Sequence, residues 1–225
     1  MGRAGIVSLL IVAQLTLAAS GESAWHRLSH FTQARPEVVG QGFMRHGATN
    51  PADVFQLPLP EWSPHCLGFG SEWRYCNGTP LRACASGAVW LHTGTDVVAS
   101  AGDAVAAAGD GEIVGYSIDP TFRGGVLIRH STTFGVVITQ YWHVWLRSGF
   151  TVGLRVKRGQ EFADVADMGS RTHLHFAVFD GDLEAHSWNG ALPPTACSGF
   201  PAFPYRFVDP TAFIQAHVKK TWRER

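Results

Sequence analysis

Short apolar runs alternate with glycine-containing turns from Val89 onward. The runs, which are five to nine residues long, are Ala104–Ala108, Glu112–Tyr116, Val126–His130, Val136–Val144 and His173–Phe179. Turns such as Gly109-Asp110-Gly111, Gly124-Gly125 and Asp180-Gly181-Asp182 separate them. Regular short strands divided by such turns are typical of an antiparallel sandwich or barrel. The sequence therefore predicts an all-β fold, an antiparallel β-sandwich or barrel with little helix.

One segment near the C-terminus favours a short helix. It spans Pro210–Val218, with Asp209 as a good N-cap residue and Pro210 at the first helical position, where proline is tolerated.

Composition excludes several classes of protein. The chain has 225 residues, enough for one well-packed domain or one domain with a small satellite. Its 18 basic and 18 acidic residues balance, which argues against nucleic-acid binding, since phosphate contacts need a basic surplus. The 45% hydrophobic content excludes disorder. Beyond the N-terminus, no apolar run approaches the roughly eighteen residues of a membrane helix, so we expect no stable membrane insertion.

The N-terminus has the layout of a secretory signal peptide. A charged Met1-Gly2-Arg3 precedes an apolar stretch, and Ala18-Ala19-Ser20 offers small residues for cleavage. An uncleaved membrane anchor is the alternative, which the weakly hydrophobic Gln14-Leu15-Thr16 disfavours. We expect cleavage after Ser20 and an exported, periplasmic or extracellular protein.

Four cysteines lie behind this leader: Cys66, Cys76, Cys84 and Cys197. An even number in an oxidising compartment predicts two disulfides, with three possible connectivities. The alternative, a zinc site, is disfavoured because the chain has no C-x-x-C pair.

Histidine and aspartate cluster at two places. In His92-Thr93-Gly94-Thr95-Asp96 the intervening residues disfavour a helix, and in an extended segment positions i and i+4 share a face. In His173-Leu174-His175-Phe176-Ala177-Val178, strict alternation predicts a strand that buries the even-numbered residues and turns both imidazoles to the other face.

His143, in the apolar segment Thr139–Val144, adds a further imidazole. Alone, such a histidine is more often a hydrogen-bonded core residue. Together, two histidines and one aspartate form a three-ligand zinc set with an open fourth position, as in catalytic rather than structural zinc sites. The mixed N/O donors favour zinc over calcium.

These motifs resemble those of the lysostaphin/LytM-type zinc endopeptidases, which cut peptidoglycan cross-bridges. The resemblance rests on His92-x-Gly94-x-Asp96, Tyr141-x-His143 and His173-Leu174-His175-Phe176 and covers about residues 88–215. It implies the barrel-sandwich hybrid fold with a duplicated hybrid motif. It implies the zinc endopeptidase domain at 88–215. With the expected signal peptide at 1–20, this leaves a loop-rich extension at 21–87, which we expect a disulfide to staple near its end, and a tail at 216–225.

The resemblance also assigns residues. It places one Zn²⁺ on His92, Asp96 and His175, and gives His143 and His173 the catalytic positions, without saying which of the two is the general base. The implied partner is peptidoglycan, cut either between D-alanine and meso-diaminopimelate or in an oligoglycine bridge. The oligomeric state stays open, as does any inhibitory role of the extension.

Two features depart from the family pattern. The strand of paired histidines follows Met168-Gly169-Ser170-Arg171-Thr172 rather than a glycine-rich loop ending in Gly-Pro, and the cysteine-rich segment before His92 has no counterpart. We expect His130 to be structural. The remaining histidines are predicted to be surface or packing residues: His26, His30, His46, His65, His186 and His217.

Three other functions compete with the enzyme. A catalytically silent relative that binds peptidoglycan or regulates a hydrolase would typically have lost zinc ligands, and none is missing here. A phosphoryl carrier is disfavoured by export away from cytoplasmic phosphate donors. A carbohydrate-binding sandwich accounts for the eight tryptophans and leaves the His/Asp set unexplained.

Overall fold

The computed structural model describes residues 53–79, 90–182, 195–197 and 206–218, with backbone alone for 195–197. Within these ranges the chain forms eleven strands and one α-helix. They are β1 (Trp90–His92), β2 (Thr95–Val98), β3 (Ala104–Ala106), β4 (Gly111–Asp119), β5 (Arg123–Thr132), β6 (Gly135–Leu146), β7 (Arg155–Val156), β8 (Glu161–Val165), β9 (His173–Asp180), β10 (Thr195–Cys197), β11 (Phe207–Val208) and α1 (Pro210–His217).

All described strand pairings are antiparallel. Nine strands form one sheet whose main path runs β11-β9-β6-β5-β4-β7, with β2 on β9, β8 on β6 and β3 on β8. The strands β1 and β10 form a separate pair. The prediction of an antiparallel all-β fold is confirmed, and the five apolar runs fall on β3, β4, β5, β6 and β9.

The longest strand, β6, changes partner along one of its edges. It pairs with β5 along its length, with β9 up to the pair Trp142↔His175, and with β8 from Val144↔Val165 onward. The change occurs at His143, which has no partner in either register. This residue therefore lies where β9 and β8 diverge.

The core draws on the segment before the first strand. Phe55 and Leu59 are buried among the apolar side chains of the sheet. Their segment is hydrogen-bonded to the sheet: Gln56 N–H donates to the Ala108 carbonyl at 2.8 Å, and Ala106 N–H donates to the Pro58 carbonyl at 2.9 Å. Burying each of the two side chains contributes about 1.5–3 kcal/mol. The described part of the extension is thus integral to the core.

The predicted helix is confirmed, and it ends one residue earlier than expected. The Asp209 carboxylate accepts hydrogen bonds from the backbone N–H groups of Thr211 and Ala212, at 2.8 and 3.3 Å. Val218 takes an extended conformation and ends α1. Ile214 anchors the helix in the core.

Cys66 and Cys76 form a disulfide. Cys84 and the side chain of Cys197 lie outside the described residues, as does the expected signal peptide at 1–20. Within the described ranges no helix is long and apolar enough to cross a membrane.

Candidate metal centre and cleft

A tight turn brings His92 and Asp96 together. The strand β1 ends at His92 and β2 begins at Thr95, so only Thr93 and Gly94 connect them. A Cβ atom at Gly94 would lie 2.3 Å from the Phe176 carbonyl oxygen, and only glycine fits this close approach to β9. The turn leaves His92 Nε2 3.0 Å from Asp96 Oδ1.

The neighbouring strand β9 supplies His175. Asp96 is paired with His175 across the β2–β9 ladder, which sets their side chains side by side. His175 Nδ1 lies 2.8 Å from His92 Nε2 and 3.2 Å from Asp96 Oδ1. As predicted, the alternate residues Leu174 and Phe176 are buried in the core.

The three atoms match the requirements of a zinc ion. Zn–N and Zn–O bonds of about 2.0–2.1 Å place tetrahedral ligand atoms about 3.3 Å apart, close to the 2.8–3.2 Å separations of this set. His92 Nδ1 donates to the Gly68 carbonyl at 3.2 Å, which leaves its Nε2 lone pair for a cation. All three side chains are buried. The residues therefore fit the metal that the motif implies.

The electrostatics keep Asp96 charged. Burial raises its pKa, but attraction to His92 and hydrogen bonds from His173, His175 and His92 outweigh burial, so the pKa lies well below its usual value. His175 behaves in the opposite sense: burial and the neighbouring His92 lower its pKa to about 4. An ionised carboxylate and a neutral imidazole are the protonation states in which Asp96 and His175 bind a metal.

His143 enters the site through a bulge. The ladder between β5 and β6 shifts register between Gly124 and Gly125, and His143 takes the left-handed φ of 66°. A Cβ atom at Gly124 would lie 2.1 Å from the Val144 carbonyl oxygen, so the bulge needs glycine opposite it. His143 Nδ1 donates to the Phe122 carbonyl at 2.9 Å. Burial, together with the nearby His173, lowers the His143 pKa to about 3.

His173 lies opposite His143, with ring centroids 4.5 Å apart. Its Nδ1 donates to the carbonyl of Arg171, in the 3-10 turn Gly169–Arg171, at 2.6 Å. Its Nε2 lies 3.3 Å from Asp96 Oδ1. Burial lowers the pKa of His173, but the hydrogen bond and charge of Asp96 outweigh burial and raise it above its ordinary value.

These five residues line one cleft of about 350 Å³. Part of its wall comes from outside the motif region: Cys66, Leu67, Trp73, Arg74, Tyr75 and Cys76. Among the described residues that line it, Asp96 is the only carboxylate. Arg171, exposed at the rim, has no ion-pair partner among the described residues, whereas Arg74 pairs with Glu72 at 2.7 Å.

One cleft residue was missed by sequence reasoning. His65, predicted as a surface or packing residue, stacks on His173 with ring centroids 5.2 Å apart and planes 6° apart. An isolated bridge between Pro64 and Val97 brings it there. Because this pairing joins segments far apart in the sequence, no spacing rule could have found it.

The other predicted residues lie elsewhere. His130 is buried away from the cleft, with Nδ1 2.9 Å from the Asp110 carbonyl and Nε2 2.7 Å from the Thr139 hydroxyl. His217 packs against Phe213. Four histidines lie outside the described residues: His26, His30, His46 and His186.

Comparison with known proteins finds a family model that matches the region of the cleft. Residues 90–186 match the model of peptidase family M23. Over 110 residues the chain is 40% identical to the peptidoglycan DD-endopeptidase ShyC of Vibrio cholerae, covering 48% of this chain and 24% of that protein. The chain thus spans about a quarter of the length of that relative.

Two solved structures are similar at lower levels. A zinc-containing peptidase from Vibrio cholerae is 25% identical, with 56% of this chain and 37% of that chain covered and a TM-score of 0.44. The catalytic domain of lysostaphin from Staphylococcus simulans is 22% identical, with 68% and 92% covered and a TM-score of 0.45. The match to peptidase family M23 begins at β1 and encloses His92, Asp96, His143, His173 and His175, so the part of the chain that carries the cleft is similar to that family.

Proposed function

We propose that this protein is an exported zinc metalloendopeptidase that hydrolyses peptide cross-links of bacterial peptidoglycan. The observation that carries the proposal is the convergence of His92 Nε2, Asp96 Oδ1 and His175 Nδ1 within 3.2 Å of one another, beside two further imidazoles. Three nitrogen and oxygen ligands with an open fourth position are the arrangement of catalytic zinc sites.

We assign one zinc ion per chain to His92, Asp96 and His175. A bound zinc ion supplies Lewis acidity, which polarises a carbonyl and lowers the pKa of water. The protein's contribution is the rigid placement of the ligands, because β1, β2 and β9 fix their backbones through ladder hydrogen bonds.

We assign proton transfer and oxyanion stabilisation to His143 and His173. Each donates its Nδ1 proton to a backbone carbonyl, so the proton-accepting lone pair of the neutral ring is on Nε2. Either ring can take a proton from water at Nε2 and, once protonated, donate it to the developing oxyanion or the leaving amine. The contact of Asp96 with His173 and the burial of His143 give the two rings different environments.

The walls of the cleft favour one kind of cross-link. The exposed guanidinium of Arg171 attracts carboxylates, and Trp73 and Tyr75 provide an aromatic surface for a peptide. A cross-link from D-alanine to meso-diaminopimelate carries a free carboxylate at the D-centre beside the bond, whereas an oligoglycine bridge carries none. The relative from Vibrio cholerae is named a DD-endopeptidase. We therefore favour the D-alanine to meso-diaminopimelate bond.

Export supports this substrate. Peptidoglycan lies outside the cytoplasm, the first twenty residues have the layout of a signal peptide, and the Cys66–Cys76 disulfide suits an oxidising compartment.

Digestion of defined muropeptides tests the proposal. The exported protein with zinc should open cross-linked muropeptides that contain meso-diaminopimelate, and mass spectrometry should show intact glycan and cleaved peptide. Oligoglycine-bridged muropeptides serve as the comparison substrate. Failure on both substrates would favour a binding or regulatory role, and cleavage of glycan would refute the peptidase assignment.

A further inference from the structure

His65 is held beside the metal centre by backbone pairing. Its segment runs antiparallel to β2: Val98 N–H donates to the Ser63 carbonyl at 2.9 Å, His65 N–H to the Asp96 carbonyl at 2.8 Å, and Asp96 N–H to the Leu67 carbonyl at 2.8 Å. These three bonds fix the backbone of His65 against that of Asp96. The position of the imidazole is therefore set by the sheet and not by a free loop.

The His65 ring completes a second set of donor atoms. One atom each from His65, Asp96 and His173 lie within 4.8 Å of one another. The Nδ1 atom of His173 is engaged with the Arg171 carbonyl, so Nε2 is the nitrogen that this ring offers. The sulfurs of Cys66 and Cys76 lie 3.3 and 3.9 Å from His65 Nδ1, but a disulfide has no thiolate to bind metal.

We propose that His65, Asp96 and His173 form a second zinc site, distinct from that of His92, Asp96 and His175, and that zinc bound there inhibits the enzyme. The two sites share the carboxylate of Asp96, whose Oδ1 lies 3.0 Å from His92 Nε2 and 3.3 Å from His173 Nε2. Pairs of metal ions that share a carboxylate occur in two-metal enzymes.

Charge determines the order of filling. Asp96 is the only carboxylate among the described cleft residues, so a second divalent ion enters a site whose negative charge the first ion already neutralises. His65 and His173 are also only half-buried, whereas the ligands of the first site are buried. The second ion therefore binds more weakly and fills its site only when zinc exceeds one equivalent.

Inhibition follows from the ligand that the second ion takes. Zinc on His173 Nε2 removes the lone pair that the proposed function assigns to proton transfer, and this part of the proposal rests on that function. The binding part does not, since it depends only on the positions of the three side chains.

Zinc titration of the exported protein tests both parts. The protein is stripped with a chelator and titrated with Zn²⁺ alone, bound metal is counted by native mass spectrometry, and muropeptide cleavage is measured at the same points. We expect two bound ions, with the highest rate at one equivalent and a falling rate as the second ion binds.

His65→Ala is the diagnostic variant. This variant should keep the first equivalent of zinc and bind the second at least about tenfold more weakly. Loss of an outer-shell partner of a metal already costs about tenfold or more in affinity, and His65 is proposed as a direct ligand. The zinc concentration that halves the rate, relative to the same variant at one equivalent, should rise by the same factor. His65→Phe keeps a ring against His173 without a ligand nitrogen and should behave alike. His217→Ala removes an imidazole on α1 and should leave both equivalents unchanged.

Three results would overturn the proposal: one ion bound by the wild type at millimolar zinc, a second equivalent that is unchanged in both His65 variants, or a rate that rises as the second ion binds. Failure of the proposed function looks different. It would appear as no cleavage at one equivalent, while the number of ions and its dependence on His65 would still be measured.

Discussion

Two histidines on adjacent strands, His130 on β5 and His143 on β6, share their burial and their backbone hydrogen bond and differ in the surroundings of Nε2. Both are buried, and both donate Nδ1 to a backbone carbonyl at 2.9 Å. Burial also lowers both pKa values, to about 4 for His130 and about 3 for His143. At neutral pH each ring is uncharged with its lone pair on Nε2.

The difference lies at Nε2. In His130 this nitrogen is hydrogen-bonded to the Thr139 hydroxyl at 2.7 Å, so both ring nitrogens have partners within the fold. The ring of His143 faces His173 across the cleft instead. A buried, neutral imidazole is therefore not by itself a catalytic group. Under the proposed function, what distinguishes His143 from His130 is a ring that lies in the cleft beside the candidate metal centre.

The largest expected effect is the loss of both zinc and activity when a ligand of the metal centre is removed. Asp96→Ala removes the carboxylate that lies 3.0 Å from His92 and 3.2 Å from His175. Two imidazoles alone hold zinc weakly, so the purified variant should contain almost no zinc and have no measurable peptidase activity. Elemental analysis checks the metal content. Full zinc occupancy in this variant would contradict the ligand set.

Replacing the cleft histidines tests the comparison directly. His143→Ala and His173→Ala should each keep zinc and a cooperative thermal transition while cleavage falls by about a hundred- to ten-thousandfold, the usual cost of losing a positioned acid–base group. Cleavage rates of cross-linked muropeptides at one equivalent of zinc provide the measurement. His130→Ala, measured at a temperature where it stays folded, should retain most of the rate.

Two results would break this assignment. Loss of zinc in His173→Ala would mean that His173 and His175 have exchanged roles. A rate loss in His130→Ala as large as in His143→Ala would mean that burial and not position determines activity.

The sequence predicted the parts of this comparison that depend on local pattern. Alternation along His173–Val178 predicted which face of β9 carries the imidazoles, and Asp209-Pro210 predicted the start of α1. The grouping of the five cleft residues came from their motifs, and the structure does bring them together.

The parts that depend on pairing could not be predicted. The bulge at His143 arises where β6 exchanges β9 for β8, which depends on three strands at once. The position of His65 depends on a bridge between Pro64 and Val97. Neither arrangement is reflected in the hydrophobic periodicity of the sequence. Both therefore require the three-dimensional structure.

His130→Ala should lower the stability of the protein and leave most of its activity, the reverse of what we expect for His143→Ala and His173→Ala. It removes the hydrogen bonds to the Asp110 carbonyl and the Thr139 hydroxyl, of which the hydroxyl keeps its contact with Tyr141, and it opens a cavity beside Phe55, whose ring lies 5.1 Å away. Cavity formation and lost hydrogen bonds together cost about 2–4 kcal/mol. Urea denaturation at pH 7 with zinc held constant should show this loss, with His143→Ala as the control. A change below about 0.5 kcal/mol would show that the buried hydrogen bonds of His130 contribute little.

The smallest expected effect is a change in how steeply the free energy of unfolding falls as the pH is lowered below about 6.5. The pKa of His130 is near the ordinary histidine value of about 6.5 in the unfolded chain and about 4 in the folded protein. Between these values the unfolded state binds the extra proton, so stability falls as the pH is lowered through this window and levels off below about pH 4. One such proton contributes a slope of up to about 1.4 kcal/mol per pH unit.

His130→Gln isolates that slope, because an amide can replace both hydrogen bonds and does not titrate. The free energy of unfolding of the wild type and of His130→Gln, measured from pH 7 to pH 4 in the same zinc concentration, should differ in slope by close to one proton. Other titrating groups, including His143 and His175, contribute to both proteins and cancel in the difference. Above pH 7 the two curves should run parallel, because His130 is then neutral in both the folded and the unfolded state. Equal slopes below pH 6.5 would mean that His130 binds its proton without unfolding the core. The contrast between His130 as a structural histidine and His143 as a histidine of the cleft would then be wrong.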